Sequence, residues 1–147
     1  MTTKVLVLGE RNVGKTSLVN RFVEGVSFRE SGVQSSKELV QQKKRVIDMK
    51  EGGEDYQVSM MIYDCAGDAS NQNLLKIYWQ DVNVIILVYS IDSNRSFESL
   101  HNWIEAVNKT KRPNEVVHFA LVASKADLGE QRMVPNGSGQ RLKDEIN

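Results

Sequence analysis

The residues best suited to chemistry stand near the start of the chain. Gly9, Gly14, Lys15 and Thr16 fit the pattern G-x-x-x-x-G-K-[S/T] at every fixed position. A glycine turn that leads into a helix presents backbone N–H groups and the positive helix N-terminus to an anion. Gly14 lets the backbone approach phosphates, Lys15 places a charge between the terminal ones, and the Thr16 hydroxyl is a Mg²⁺ ligand. The spacing predicts a phosphate-binding loop and a bound nucleotide.

The segments on either side of this loop have the patterns that such a site requires. Residues 4–8 form a short apolar run typical of a buried parallel strand, and residues 17–23 have apolar side chains at helical spacing. A strand, a glycine loop and a helix in this order support the phosphate-binding interpretation. The alternative is a chance glycine turn before a helix, and these flanking segments disfavour it.

Two further motifs follow the phosphate loop in the chain. Asp64 and Gly67 match D-x-x-G at the end of a predicted strand, where an acid can hold Mg²⁺ through water and a glycine N–H can meet the terminal phosphate. Lys125 and Asp127 match K-x-D at the end of another predicted strand. A carboxylate there accepts hydrogen bonds from both N1–H and the exocyclic amine of guanine, a pattern that adenine does not offer. Each motif is weak alone, but their order predicts a guanine-nucleotide site.

The rest of the sequence supplies the elements that position these motifs. Strand-like and helix-like segments alternate, which predicts an α/β fold with a doubly wound, mostly parallel sheet covered by helices on both faces. Residues 51–54, Glu-Gly-Gly-Glu, are a hairpin signal. Ser93 or Asn94 is expected to cap a helix, and order is expected to weaken beyond Asp127. The predicted strands cover residues 37–49, 56–63, 82–89 and 116–123, and the predicted helices cover residues 96–110 and a segment from about Gln140.

Composition limits the classes of protein to consider. The chain has 147 residues, 40% hydrophobic and 26% charged, which predicts a single domain over residues 1–147. Its 19 basic and 19 acidic residues give a formal charge of zero, which argues against nucleic acid as a partner. The sequence has no signal-peptide pattern, no apolar run of about 20 residues and no C-terminal prenylation cysteine. We therefore expect a cytoplasmic protein without a direct membrane anchor.

With three motifs in this order, the chain resembles the Ras-superfamily small GTPases over essentially its whole length. Residues 88–92, 96–99 and 103–104 are similar to the Rab branch. More narrowly, the chain resembles the Rab-like GTPase subunits of intraflagellar transport complex B, through residues 58–64, 78–79, 96–99 and 121–128. The resemblance implies a P-loop small GTPase fold of six strands, with GTP or GDP and Mg²⁺ bound at the carboxyl ends of the strands.

The resemblance also assigns roles to individual residues. Lys15 and Asp68 occupy the catalytic positions, and Thr16, Ser35 and Asp64 occupy the Mg²⁺ positions. Ser35 is placed by ungapped spacing from Phe28, which is expected to stack on the guanine ring, whereas a gapped alignment would place Ser31 there. The residues expected to contact the nucleotide are Arg11, Asn12, Val13, Gly14, Lys15, Thr16, Ser17, Phe28, Gly67, Lys125 and Asp127.

Four positions depart from the family pattern, and one of them is Ser35, which replaces the switch-loop threonine and keeps its hydroxyl. Asp68 stands where most relatives carry a glutamine that orients the attacking water, and its charge should repel the terminal phosphate. Arg11 stands where many relatives have a small residue, and the sequence leaves open whether it helps as an internal cation or crowds the transition state. We therefore expect weak intrinsic GTP hydrolysis. Ser124 replaces the usual asparagine of the guanine motif, which predicts weaker nucleotide affinity.

The C-terminal part of the family pattern is missing from this sequence. No S-A-K motif follows Asp127, and the last strand and last helix of the family are missing with it. We expect a G domain that is C-terminally truncated relative to the family, either as a fragment, as an alternative product or as a deviant member. Without that helix, apolar sheet surface is expected to be exposed, which predicts poor solubility or a partner that covers it.

Three functions are compatible with these observations. The first is a regulatory GTPase whose loops around Ser35 and Asp68 become ordered with GTP and bind effector proteins. The second is a constitutive assembly subunit with a structural or vestigial nucleotide site. The third, a P-loop kinase or ATPase, is disfavoured because Lys125 and Asp127 favour guanine. The resemblance further implies a cytoplasmic, ciliary or flagellar setting and a small β-sandwich partner subunit.

Other conspicuous residues have structural interpretations. Trp103 is expected in the core, whereas recognition of a partner and packing are about equally favoured for Tyr78 and Trp79. Cys65 is expected to be a small buried residue, and a single cysteine suits a reducing compartment. The basic run at residues 43–45 is expected to be a solvated strand edge.

Overall fold

The computed structural model describes residues 1–26, 38–68 and 72–146 of the chain. The strands of this part are β1 (Thr2–Leu8), β2 (Val40–Glu51), β3 (Glu54–Cys65), β4 (Val84–Ser90) and β5 (His118–Ser124). Its helices are α1 (Lys15–Glu24), α2 (Gln72–Leu75), α3 (Asn94–Thr110) and α4 (Ser138–Ile146). Short 3-10 segments cover Lys76–Tyr78 and Ala126–Gln131.

The strands form one sheet in the order β2-β3-β1-β4-β5. β1 runs parallel to β3 and β4, and β4 runs parallel to β5, whereas β2 is antiparallel to β3. Parallel neighbours need crossover connections, and the segments between these strands carry the helices. The sheet has the predicted α/β architecture, so the fold prediction is confirmed.

Alternate residues of β1 pack into two hydrophobic clusters on opposite faces of the sheet. Leu6 and Leu8 belong to a cluster that includes Trp103 of α3. Val5 and Val7 belong to the other cluster, with α1. Successive side chains of a strand point to opposite faces, so an uninterrupted apolar run is buried on both sides. The carboxyl end of β1, where the phosphate loop begins, is therefore held in the interior.

The β2–β3 hairpin has the predicted turn but longer strands. Gly52 (φ 61°) and Gly53 (φ 88°) form a two-residue turn, and Glu51 pairs directly with Glu54. Two glycines with positive φ match the twist of the flanking strands, so pairing continues up to the turn. The predicted ranges 37–49 and 56–63 were therefore too short at the turn, and β2 begins at Val40.

Ser93 caps α3, as one of the two predicted caps, because its hydroxyl accepts a hydrogen bond from the Ser96 backbone N–H.

The segment after β5 contains the last helix of the described residues. The predicted helix from about Gln140 is confirmed: α4 begins at Ser138, and its Leu142 is buried in the core. Packing of one apolar side chain against the sheet fixes a helix within a glycine-rich stretch of sequence.

The two tryptophans are both structural. Trp103 lies in the core as predicted. Trp79 is only 4% exposed and belongs to the same cluster, so packing is the correct one of the two interpretations that the sequence left open. Tyr78 is half-buried against this cluster. Its ring packs against the ring of Tyr63, with a distance of 5.9 Å between the two ring centroids.

The basic run at residues 43–45 lies on β2, the edge strand of the sheet, where Lys44 and Arg45 are exposed as predicted and Lys43 is half-buried. Lys43 pairs with Glu24 at the end of α1. Arg45 donates hydrogen bonds to the backbone carbonyls of Phe22 and Val23. Cations next to the last carbonyls of a helix are stabilising because they face its negative end.

The α1 face of the sheet includes several half-buried apolar side chains. Val84, Ile86 and Val122 are half-buried there, and Phe22 of α1 is 42% exposed. The expected exposure of apolar sheet surface and its effect on solubility both stay predictions. Among residues 1–26, 38–68 and 72–146, no helix has both the length and the apolar character needed to cross a membrane.

Candidate nucleotide-binding site

The phosphate loop leaves the carboxyl end of β1 through a turn that only particular residues allow. Gly9 (φ 146°) lies against β4 so closely that a Cβ atom would be 2.1 Å from the Val88 carbonyl oxygen. Gly14 (φ 96°) is the N-cap of α1 in the left-handed region, and Asn12 (φ 64°) lies in the same region. Glycine tolerates such angles without strain. The loop therefore directs the start of α1 toward the carboxyl edge of the sheet.

Lys15 folds back over this loop. Its Nζ donates to the carbonyl oxygens of Gly9 (3.0 Å) and Glu10 (2.7 Å). Burial lowers the pKa of Lys15 because it penalises the charged form, while the carboxylate of Asp64 opposes this shift. An ammonium group has three protons, and these two bonds leave the third for an anion at the loop.

Thr16 and Asp64 form the candidate metal site. The Thr16 hydroxyl donates to Oδ2 of Asp64 at 2.5 Å. Burial raises the pKa of Asp64, and the hydrogen bond from Thr16 and the charge of Lys15 work in the opposite direction. Within the part of the chain that the structure describes, Oδ1 of Asp64 is buried and has no hydrogen-bond partner.

This pair suits Mg²⁺ chemically. Hydroxyl and carboxylate oxygens are the hard donors that Mg²⁺ prefers, and it is usually bound by one or two protein groups with phosphates and water completing the shell. The described ranges contain no cluster of three or more His, Cys, Asp or Glu side chains that could hold a metal. A carboxylate with one unpartnered buried oxygen is stabilised by a nearby cation.

Gly67, the last residue of the D-x-x-G motif, lies directly on the phosphate loop. A Cβ atom at this position would be 2.4 Å from the carbonyl carbon of Glu10 and 2.5 Å from the Arg11 nitrogen. These contacts are with backbone, which moves less readily than the end of a side chain. The exposed Asp68 follows immediately, so the proposed catalytic position is held beside the phosphate loop.

The guanine motif lies at the end of β5, at the same edge of the sheet. The Ser124 hydroxyl lies 2.5 Å from the Val13 carbonyl oxygen and 2.9 Å from that of Tyr89. Lys125 has a left-handed backbone (φ 56°) and its Nζ is 3.8 Å from Oδ2 of Asp92. Ser124 thus links the phosphate loop, β4 and the base loop.

The structure brings most of the predicted residues together, and their ligand roles stay predictions. Lys15, Thr16, Asp64 and Gly67 are in contact with one another or with the phosphate loop, and Lys125 follows Ser124, which contacts that loop. Val13 is buried, and its carbonyl oxygen accepts the hydrogen bond from Ser124. Ser17 lies in the first turn of α1. Arg11, Asn12, Asp68 and Asp127 are exposed at this edge. Phe28, Ser31 and Ser35 lie outside the described residues.

Two ion pairs near the site were missed by sequence reasoning. Asp92 follows β4 and pairs with Lys125, and the Ser90 hydroxyl donates to Asp92. Arg95 in the first turn of α3 lies 3.5 Å from Glu10 in the phosphate loop. Asp92 could have been found, because polar residues just after parallel strands meet at one sheet edge. Arg95 gives no such signal in the sequence.

Comparisons with known proteins identify the family of this chain. The family model described as the Ras family matches residues 4–147. The chain is 31% identical to the Ras-related protein Sec4 of Candida albicans over 147 residues, which is all of this chain and 66% of that protein. It is 30% identical to the Ras-related protein Rab-8B of Dictyostelium discoideum over 142 residues, or 97% of this chain and 66% of that protein.

The chain belongs to the Ras family of small GTPases. Within that family it is Rab-like, by its similarity to Sec4 and Rab-8B proteins. It spans just under two thirds of the length of these relatives, 66% in each case.

Proposed function

We propose that this protein is a guanine-nucleotide-binding switch with weak intrinsic GTP hydrolysis. One observation carries the proposal: the phosphate loop with Lys15, the Thr16–Asp64 pair and the base loop after Ser124 meet at a single sheet edge. Open parallel sheets bind ligands at this edge. Membership of the Ras family favours guanine nucleotide as the ligand.

Each part of the site has a distinct task in binding. Lys15 and the N–H groups at the start of α1 hold the phosphates, and the Asp127 carboxylate accepts from the guanine base. Thr16 and Asp64 would hold Mg²⁺, with a switch-loop hydroxyl, Ser35 or alternatively Ser31, as a further ligand. When bound, the ion offsets negative charge on the terminal phosphates.

The proposed hydrolysis is slow because of the residue after Gly67. A glutamine at this position orients water in Ras. Asp68 instead carries a negative charge, and a carboxylate near the terminal phosphate opposes the build-up of charge during transfer. Arg11 is exposed in the phosphate loop, close to the same region. A long-lived GTP state is the expected consequence.

The switching element is proposed to be the segment that contains Gly67 and Asp68. Gly67 rests on the Glu10–Arg11 peptide, so a change at the phosphate loop displaces this segment directly. Protein effectors would bind the surface that the segment and the switch loop form with GTP. The loss of that surface with GDP would release them.

A more specific setting is proposed from the sequence resemblance alone. The residues quoted above, such as 58–64 and 121–128, support a role in intraflagellar or vesicular transport, in the cytoplasm and at the cilium or flagellum. In that setting a small β-sandwich subunit is the proposed partner. The second candidate function, a constitutive assembly subunit, is favoured by Asp68 because a site without the catalytic glutamine suits a structural nucleotide.

The direct test is to identify the nucleotide that the protein carries and binds. The purified protein would be denatured, its supernatant analysed by anion exchange, and GDP and GTP affinity then measured with Mg²⁺. We expect bound GDP or GTP, and loss of binding by at least about tenfold in Lys15→Ala because the phosphate charge loses its partner. Lys111→Ala, at an exposed lysine after α3, is the matched control.

The outcomes separate the two candidate functions. If Lys15→Ala folds and loses only nucleotide-dependent partner binding, the switch is supported. If Lys15→Ala fails to fold while Lys111→Ala folds, the nucleotide is structural and the assembly-subunit function is favoured. A folded wild-type protein that binds neither GDP nor GTP in Mg²⁺ would contradict both.

A further inference from the structure

The first turn of α4 lies against the hydroxyl end of a buried tyrosine. A Cβ atom at Gly139, the second residue of α4, would be 2.8 Å from the Tyr89 hydroxyl oxygen and 3.7 Å from the ring carbon that carries it. The Cα–Cβ bonds of a helix are tilted toward its N-terminus, so this hydroxyl faces the start of α4. Glycine suits the position because a side chain there would crowd the tyrosine.

The Tyr89 hydroxyl is a buried donor without a partner. The side chain is only 6% exposed, and its ring packs edge to face against Phe97, with 4.9 Å between the ring centroids. Among the residues that the structure describes, none forms a hydrogen bond with this hydroxyl. Buried tyrosine hydroxyls normally have a partner, so the free donor beside Gly139 indicates a place for a ligand atom that accepts.

The first turn of α4 adds backbone donors to the same place. The Gly137 carbonyl accepts from the Arg141 N–H, and Gly137 has no side chain with which to cap the N–H groups that follow it. The N–H groups of Gly139 and Gln140 have no acceptor within residues 1–26, 38–68 and 72–146. A helix N-terminus with free N–H groups attracts an anion.

Positive charge is concentrated at this end of α4. Residues 131–143 include three basic side chains and no Asp or Glu. Arg141 holds its charge at the first turn, because its Nη2 donates to Ser138 Oγ at 3.1 Å. A cation is unfavourable beside the positive end of a helix dipole. A bound anion would offset both the side-chain charge and the dipole.

Arg132 brings a second cation toward the tyrosine. The backbone N–H groups of Met133 and Val134 donate to the Ile91 carbonyl at 2.8 and 3.0 Å, which holds this segment beside the end of β4. Burial raises the pKa of Tyr89, and the charge of Arg132 opposes this shift. The hydroxyl therefore keeps its proton at neutral pH and is available as a donor.

We propose that the start of α4 is an anion-binding site for a phosphate group, formed by residues outside the nucleotide-binding site. The Tyr89 hydroxyl and the N–H groups of Gly139 and Gln140 donate to the phosphate oxygens. Arg132 and Arg141 supply the opposite charge. Donors and cations without a carboxylate select an oxyanion over a cation or a neutral ligand. This inference does not depend on the proposed function.

The test is a titration of the ¹⁵N-labelled protein, loaded with GDP and Mg²⁺, with inorganic phosphate at constant ionic strength. Amide NMR signals report on each site separately, since Gly139 and Gln140 belong to the proposed site and Gly14 to the phosphate loop. We expect the signals of Gly139 and Gln140 to shift and saturate with a dissociation constant of about 1–10 mM. The Gly14 signal should not follow this curve.

Two substitutions separate binding from structure. Tyr89→Phe removes only the hydroxyl and should weaken phosphate binding by about three- to tenfold, the effect of one hydrogen bond. Its thermal midpoint without phosphate should not fall below that of the wild type, because the hydroxyl has no bond to lose. Arg141→Gln should weaken binding by at least about threefold through loss of charge. The matched control is Tyr56→Phe, whose hydroxyl donates to Glu51 in the β2–β3 hairpin, and it should bind phosphate as the wild type does.

Three results would overturn the inference. The first is the absence of a saturating shift at Gly139 and Gln140 up to about 50 mM phosphate, or an equal shift when chloride replaces phosphate. The second is a Tyr89→Phe variant that binds phosphate as tightly as the wild type. The third is a response of Gly14 alone, which would assign the phosphate to the nucleotide-binding site. Failure of the protein to load with GDP contradicts the proposed function instead, and the signals of Gly139 and Gln140 can still be titrated in that case.

Discussion

The Thr16 hydroxyl donates to Oδ2 of Asp64 at 2.5 Å, which connects the first turn of α1 to the end of β3. The other carboxylate oxygen of Asp64 is buried without a partner in the described part of the chain. Burial raises the pKa of this carboxyl group, against the opposing effects of the Thr16 hydrogen bond and the Lys15 charge, so a further cation would stabilise its charged form. The two residues therefore form a small site that a bound divalent cation would stabilise.

Thr16→Ala tests this site through metal dependence. Removing the hydroxyl takes away one oxygen donor and leaves Asp64 without its hydrogen bond. We expect Mg²⁺ to slow GDP release much less in this variant than in the wild type. The ratio of the release rate in EDTA to the rate in Mg²⁺ should be smaller by at least about tenfold. The measurement is the GDP dissociation rate with excess Mg²⁺ and with EDTA.

Thr110→Ala is the control for this substitution. The Thr110 hydroxyl donates to the carbonyls of Ala106 and Val107 at the end of α3. It should release GDP at the wild-type rate in both buffers. An unchanged Mg²⁺ effect in Thr16→Ala would show that the metal is held by other groups.

Gly67→Ala tests the contact between the D-x-x-G segment and the phosphate loop. The new Cβ would be 2.4–2.5 Å from backbone atoms of Glu10 and Arg11, so one of the two segments must shift. Overpacking of this kind costs about 1–3 kcal/mol. We expect a loss of that size in the free energy of unfolding, measured by urea denaturation of the nucleotide-free protein.

Gly129→Ala is the matched control for Gly67→Ala. A Cβ at Gly129 meets no heavy atom within 4 Å, and its backbone does not require positive φ. A compatible glycine-to-alanine change stabilises by up to about 1 kcal/mol through the unfolded state. Equal stabilities of the two variants would mean that the close contact at Gly67 relaxes without cost.

The sequence was sufficient for the architecture because the decisive signals are local. The apolar run before Gly9 and the glycines at 52 and 53 determine a buried strand and a tight turn without help from distant residues. The sequence left packing and partner recognition open for Trp79, because only tertiary packing decides between them. A pattern cannot show which aromatic side chain the core surrounds.

The candidate site also combines features that the local sequence predicts with features that only the tertiary structure shows. Motif spacing predicted that Lys15, Asp64 and Asp127 lie at one edge of the sheet, since parallel strands bring their carboxyl ends together there. The contact of Ser124 with Val13 and the ion pair of Arg95 with Glu10 join separate elements, and no spacing rule contains them. They became visible only once the sheet order was known.

Cys65 is predicted to be chemically inert in the folded protein. Burial raises its pKa to about 12, and the nearby Asp64 carboxylate acts in the same direction. The thiolate is the reactive form, so it is scarce at pH 8. We expect iodoacetamide to label native Cys65 at least about 100-fold more slowly than the urea-denatured chain, as measured by mass spectrometry.

The pKa shift also fixes the direction of the pH dependence. Between the ordinary thiol pKa and about 12, the unfolded chain loses the proton and the folded chain keeps it. The contribution of Cys65 to stability is therefore complete below the unfolded pKa and is lost as pH rises above it. Cys65→Ser should show a smaller loss of stability between pH 8 and pH 10. Rapid labelling of native protein would contradict the buried, neutral thiol.

Asp68→Gln tests whether the residue after Gly67 limits hydrolysis. The wild type is predicted to hydrolyse GTP more slowly than about 10⁻³ per minute, because a carboxylate near the terminal phosphate opposes charge build-up and orients water poorly. Glutamine removes the charge and restores the amide, so we expect a rate increase of about tenfold or more in a single-turnover assay. Asp55→Asn, at the tip of the β2–β3 hairpin, is the charge-matched control and should leave the rate unchanged. If the wild type already hydrolyses GTP as fast as Asp68→Gln, the carboxylate is not the cause of slow turnover, and the exposed Arg11 becomes the next residue to substitute.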